Sequence, residues 1–118
     1  MIQSYKDLKV YEKSYNLAIE LYKEMSSLPQ EERYGLISQI KRAATSIPLN
    51  IAEGYGKRMN VKEFKRFLMM SIGSSDEVKV LLDFCKDLGY MPPEKWRKYT
   101  EGYEEVGRML SGLYQKWE

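Results

Sequence analysis

Residues 34–56, YGLISQIKRAATSIPLNIAEGYG, decide the fold, because the two faces of this stretch make different demands. Wound at about 3.6 residues per turn, Leu36, Ile40, Ala43, Ala44, Ile47 and Ile51 fall on one arc, the stripe of a core-facing helix. On another arc Gln39, Arg42, Ser46, Asn50 and Glu53 line up at steps of three and four. That ladder of hydrogen-bonding groups faces either a partner or water. Pro48 removes one backbone donor and crowds the Ala44 carbonyl, so the helix is expected to kink there. It is not expected to stop, because the apolar stripe resumes in register at Ile51 and the Thr45 and Ser46 hydroxyls can reach the disturbed backbone.

Three more helical patterns surround this one. Ser4 and Asp7 have capping-box spacing and predict a first helix from about residue 4 or 5 to Ser26. Its main stripe is Leu8, Tyr11, Tyr15, Ala18, Tyr22 and Met25; a second, Val10, Leu17, Leu21 and Leu28, lies about 110° round the helix. Either the wide apolar face wedges between two helices of the same chain, or the second stripe is a subunit interface. Pro29 with Glu31 and Glu32 marks the start of the second helix, which carries the central stretch to about Tyr55. Asn60 with Glu63 predicts the third helix, from near Val61 to Leu88 with Gly89 as a left-handed cap.

The core positions of the third helix are Phe64, Phe67, Leu68, Ser71, Ser75, Val78, Leu82 and Cys85. Gly73, Ser74 and Ser75 suggest close approach of another backbone. Pro92 and Pro93 open the last helix, where Trp96, Tyr99, Tyr103, Val106, Leu110, Leu113 and Trp117 form an unbroken stripe. No segment alternates with period two, and short connections favour antiparallel neighbours. The expected fold is all-α: one domain, an up-down-up-down antiparallel left-handed four-helix bundle.

Composition narrows the chemistry. A chain of 118 residues, 43% hydrophobic and 31% charged, buries a core without disulfide or metal support. The first residues, MIQSYKDLKV, lack the apolar core of a secretory signal, no stretch spans a bilayer, and Cys85 is alone, so a cytoplasmic location is expected. The absence of histidine removes the commonest metal ligand and neutral-pH base. Cys85 sits on an apolar stripe with no activating base, and carboxylates adjacent in sequence, such as Glu104 and Glu105, diverge round a helix. Gly73-Ser74-Ser75 lacks the strand and the Lys-Ser/Thr of a phosphate loop. These residues offer no catalytic site, metal or cofactor, and the expectation is a protein that is not an enzyme.

Charge points elsewhere. Residues 34–66 hold seven basic residues against two acidic ones, a local +5 in a chain of formal net charge +2, so the remainder carries −3. Lys57, Arg58, Lys62, Lys65 and Arg66 cluster around the turn between the second and third helices, beside Tyr55. They supply charge for phosphates and one aromatic plane on which a base can stack. In a single copy this is a modest solvated face; copied by symmetry it becomes a multivalent basic surface. The ladder of Gln39, Arg42, Ser46, Asn50 and Glu53, with Glu77 placed to pair with Arg42, reads as a structural or interface network. The tyrosines and tryptophans on heptad stripes read as core.

The run QIKRAATSIPLNIAEG, with Ile72-Gly73-Ser74-Ser75 then Glu77 downstream and Asp7-Leu8-Lys9-Val10 upstream, resembles the bacterial four-helix bundle proteins encoded in 23S rRNA intervening sequences. Relatives of that family include the accessory protein of diversity-generating retroelements. The resemblance covers nearly the whole chain and implies a four-helix bundle and a ring-like homo-oligomer, commonly a pentamer, without a settled activity. Together with the charge asymmetry it leads to the expectation of a non-enzymatic, nucleic-acid-binding (RNA or DNA) accessory protein. The alternative is a scaffold that docks a partner protein such as a reverse transcriptase, without touching nucleic acid.

Overall fold

Four α-helices carry the chain, α1 (Lys9–Glu24), α2 (Leu36–Gly56), α3 (Val61–Asp87) and α4 (Pro93–Lys116). The computed structural model describes residues 1–118. Helix α1 packs on α2 and α4, and α3 packs on the same two, closing a four-sided bundle. Cross-links between helices fix their directions. Going up α3 through Phe67, Ser71 and Ser74, the partners on α2 run down through Gly54, Ile47 and Ser46. Helix α4 likewise runs against α3, with Ser75 meeting Tyr103 and Asp83 meeting Trp96. It also runs against α1, with Lys13 meeting Glu105 and Glu24 meeting Lys95. The α2–α3 turn, the start of α1 and the end of α4 therefore share one end of a molecule 44 Å long.

Each helix boundary has a local cause. Ser4 and Asp7 do form a capping box, with Asp7 accepting from the Gln3 and Ser4 amides at 2.8 and 3.1 Å. What they cap is a 3-10 turn, Tyr5–Asp7; Leu8 is extended, and α1 begins only at Lys9, later than the capping-box spacing predicts. Glu31 and Glu32 also belong to a separate 3-10 turn rather than to the first turn of α2. Glu32 still serves α2, accepting the Leu36 amide at 3.3 Å while Tyr90 donates to its other oxygen at 3.0 Å. Asn60 caps α3 by accepting the Glu63 amide at 3.2 Å. Gly89, at φ +80°, ends α3 in the left-handed conformation, and the Tyr90 amide reaches back to the Cys85 carbonyl at 2.8 Å.

Helix α2 runs through Pro48 unbroken. Around the missing donor, Thr45 Oγ1 donates to the Lys41 carbonyl at 2.8 Å, Ser46 Oγ to the Ala43 carbonyl at 2.8 Å, and Asn50 Nδ2 to the Ser46 carbonyl at 2.9 Å. The core takes the α2, α3 and α4 stripes as expected, with Ile40, Ile47, Ile51, Phe64, Leu68, Val78, Leu82, Tyr103 and Leu110 inaccessible. Serines knit α3 to its neighbours: buried Ser71 donates to the Ile47 carbonyl at 3.1 Å and buried Ser75 to the Tyr103 carbonyl at 3.0 Å. Gly73 does not have this role. Nothing lies within 4 Å of the position a Cβ would take there. The tight backbone approach is instead at Gly54, where a Cβ would meet Phe67 Cβ at 2.6 Å.

Helix α1 buries its second stripe and part of its main one, the wide face wedged within the bundle. Val10, Leu17, Leu21 and Leu28 are buried within the bundle, so the second stripe is core and not a subunit interface. Leu17 fits against α4 at Gly102, where a Cβ would meet a Leu17 methyl at 2.9 Å. The main stripe divides: Leu8, Ala18 and Met25 are buried with the core, while Tyr15 and Tyr22 are exposed and Tyr11 is half-buried.

Candidate nucleic-acid interface

The basic cluster is built on a hydrophobic wedge. Tyr55, Phe64 and Trp117, from α2, α3 and the end of α4, stack edge to face, with ring centres 6.4 and 4.6 Å apart in succession. Asn60 starts α3 immediately after the turn, which puts Lys62, Lys65 and Arg66 within two turns of Lys57 and Arg58.

Four of the five cations lean on rings, and Lys62 alone does not. Arg58 donates to the Tyr55 carbonyl at 3.1 Å and its guanidinium lies 4.2 Å from the Tyr55 ring centre. Lys57 and Arg66 lie over the Phe67 ring at 4.9 and 4.7 Å, and Lys65 over Tyr114 at 5.1 Å. Two of the five have carboxylate partners: Lys57 bridges to Glu53 at 3.3 Å, and Arg66 grips Glu63 with a two-pronged bond at 3.0 and 3.1 Å. That grip holds the Glu63 carboxyl below the usual carboxylate range. Arg58, Lys62 and Lys65 have no carboxylate within ion-pair distance.

Tyr55 does not offer the stacking plane its sequence position suggests. It is only 6% exposed, its ring packed on Phe64 and covered by Arg58. Its role is to hold Arg58. In compensation, the antiparallel topology brings Lys9 and Lys116 to the same end, where they line a shallow cleft with Val10 and Leu113. Helix parity was the signal for these two: the first residues of an odd helix and the last of an even one must meet the second turn.

The ladder on α2 splits. Ser46 and Asn50 are half-buried, and Ser46 Oγ bonds Ser74 Oγ of α3 at 2.7 Å, a register contact between helices. Gln39, Arg42 and Glu53 are exposed, as is Glu77 on α3. The expected Arg42–Glu77 pair is not formed within the chain; both side chains are exposed and neither takes part in any ion pair.

Cys85, at the opposite end of α3, is buried, and burial pushes its thiol up to about 11, away from the reactive thiolate. No helix is long and apolar enough to cross a membrane. The arrangement can bind anions through guanidinium and ammonium groups held by aromatic rings.

The fold has a solved counterpart. A crystal structure at 1.70 Å of a protein of unknown function from the S23 ribosomal protein family of Bacteroides thetaiotaomicron superposes with a TM-score of 0.83. It is 21% identical, over 91% of this chain and 96% of that one, a likeness of fold alone. No curated protein matches the chain. The family described as 23S rRNA-intervening sequence protein matches residues 6–112, which span the first 3-10 turn, the basic turn and nearly all of α4. The chain belongs to the family of 23S rRNA-intervening sequence proteins.

Proposed function

We propose that this is a non-enzymatic, oligomeric accessory protein of the cytoplasm that binds RNA or DNA through the basic end of its bundle. The observation that carries the reading is the convergence of Arg58, Lys62 and Lys65, none with a carboxylate partner, at the end of the bundle that also holds Lys9 and Lys116. One copy provides a weak field; a ring of copies, a pentamer by resemblance, repeats it round an axis and makes it multivalent. The family's name, which places its members within 23S rRNA genes, supports a nucleic-acid partner. Cations fixed over rings lose little freedom on meeting a phosphate, which favours binding to backbone shape over base sequence.

A shift assay on structured RNA and duplex DNA at low ionic strength tests this, with the wild type beside Arg58→Gln/Lys62→Gln/Lys65→Gln. Retention by the wild type and loss of ten-fold or more in the variant is the expected result. If the wild type retains neither nucleic acid, the reading is wrong. Nuclease-resistant capture of an acidic protein by the same end would then favour the scaffold alternative.

A further inference from the structure

The bundle leaves two apolar surfaces uncovered, and they differ in shape. One is a groove of about 500 Å³ between α1 and α2, lined by Tyr5, Tyr11, Tyr15, Ile19, Tyr22 and Leu49 with almost no polar surface. Tyr15, Ile19, Tyr22 and Leu49 are exposed although all are large and apolar or aromatic. The other is a ridge on the outer side of α3, formed by Met69, Val80 and Phe84 with a notch at Gly73. A contiguous apolar patch on a soluble protein calls for a covering partner. We propose that the groove of one copy receives the α3 ridge of the next. This rests on the oligomeric reading above and names the surfaces that build it.

Length, level and charge support the match. From Tyr11 to Tyr22 α1 rises about 16 Å, matched on α3 from Met69 to Val80, while Phe84 carries the ridge one turn further, to about 22 Å. Lys41 lies over Tyr22, and Ser46, just over one turn further along α2, bonds Ser74, so groove and ridge sit at the same height in the bundle. The groove is flanked by Lys23, Lys41 and Arg42 at the end far from the basic cluster; at the near end Lys6 stands beside Glu12, and Glu53 is already bridged to Lys57. The ridge is acidic at the far end, with Asp76, Glu77, Asp83 and Asp87, and basic at the near end, where Lys62 stands with Arg66, itself bridged to Glu63. Lys79 and Lys86 lie beside Asp76 and Asp87, leaving Glu77 and Asp83 as the main acidic charge.

Copies pointing the same way therefore set the cationic flank of the groove against the acidic flank of the ridge at the far end; reversing one copy sets that cationic flank against Lys62. Two different surfaces make a heterologous contact, and where the rotation between parallel copies closes, it gives a ring in which every basic end faces the same side. Arg42 and Glu77, unpaired within the chain, lie on the two sides of this contact.

The test is solution mass by sedimentation, using Tyr15→Glu/Ile19→Glu for the groove and Val80→Glu/Phe84→Glu for the ridge. All four positions are exposed, and Leu49→Glu and Met69→Glu serve as second variants should either pair lose helix content. The wild type is expected as a multimer and each variant alone as a monomer. The two mixed are expected as a 1:1 dimer, since each retains the surface the other lacks. A multimeric wild type whose mass survives either variant overturns this interface and leaves the oligomeric reading standing. A monomeric wild type ends both.

Discussion

Gly54→Ala tests the packing that positions the basic end. A Cβ at residue 54 would sit 2.6 Å from Phe67 Cβ and 3.1 Å from Phe64 Cδ1. Ordinary carbon contacts lie at about 3.5–4.0 Å, so the nearer overlap is about 1 Å. Both atoms of that overlap are fixed to helical backbone, and no rotamer change relieves it; α2 and α3 must part. Overpacking of this kind costs about 1–3 kcal/mol, and the upper part of the range applies to a rigid contact. The gain in helix propensity from glycine to alanine, about 1 kcal/mol, offsets a portion. The expected net loss is about 1–2 kcal/mol, or roughly 4–8 °C in Tm for a domain of this size. Gly107→Ala is the control, because nothing lies within 4 Å of its Cβ position and α4 continues on both sides. It is expected to stabilise by about 0.5–1 kcal/mol. Thermal and urea unfolding at one fixed protomer concentration measure both. Equal stabilisation by the two substitutions would refute the close α2–α3 crossing.

Other outcomes follow from the same structure. The Tyr103 hydroxyl is buried without a hydrogen-bond partner, so Tyr103→Phe is expected to leave stability unchanged or raise it by about 1 kcal/mol in urea unfolding. Burial pushes Cys85 to about 11 and Tyr99 to about 12, favouring the neutral forms in the fold. Their contribution is complete below the ordinary thiol value of 9.0 and is lost as pH rises through the folded values, so Tm should fall progressively above about pH 9. Native Cys85 should resist alkylation at pH 8 and react once urea unfolds the chain. The Lys95 bond holds Glu24 below the usual carboxylate range, so its small contribution is present above that range and disappears as the solution is acidified; Lys95→Ala should flatten the acid limb of a Tm–pH profile.

The core face of α3 was legible, since all eight positions expected there are buried; Leu81 joins them unforeseen, and the outer apolar row of Met69, Val80 and Phe84 was not read. Helix α1 was not legible, because two apolar stripes compete and tyrosine suits both core and surface. What decides between them is Gly102 on α4, which lets Leu17 in, and no pattern within α1 contains that information. The basic cluster was legible as a composition but not as a site. Tyr55 is buried against Phe64 of the next helix and under Arg58, and the two extra lysines come into place only once the helices alternate in direction. The Ser4/Asp7 box shows the limit of a short motif: three residues satisfy it, and a 3-10 turn supplies three residues as well as a helix does.

The most direct measurement is the salt dependence of affinity for structured RNA. Three uncompensated cations per copy correspond to a slope of log K against log salt of about −2 to −3 for a single copy. A multivalent basic surface predicts a steeper slope, reduced towards zero in Arg58→Gln/Lys62→Gln/Lys65→Gln. A slope near zero in the wild type, or one that the triple variant leaves unchanged, contradicts the account.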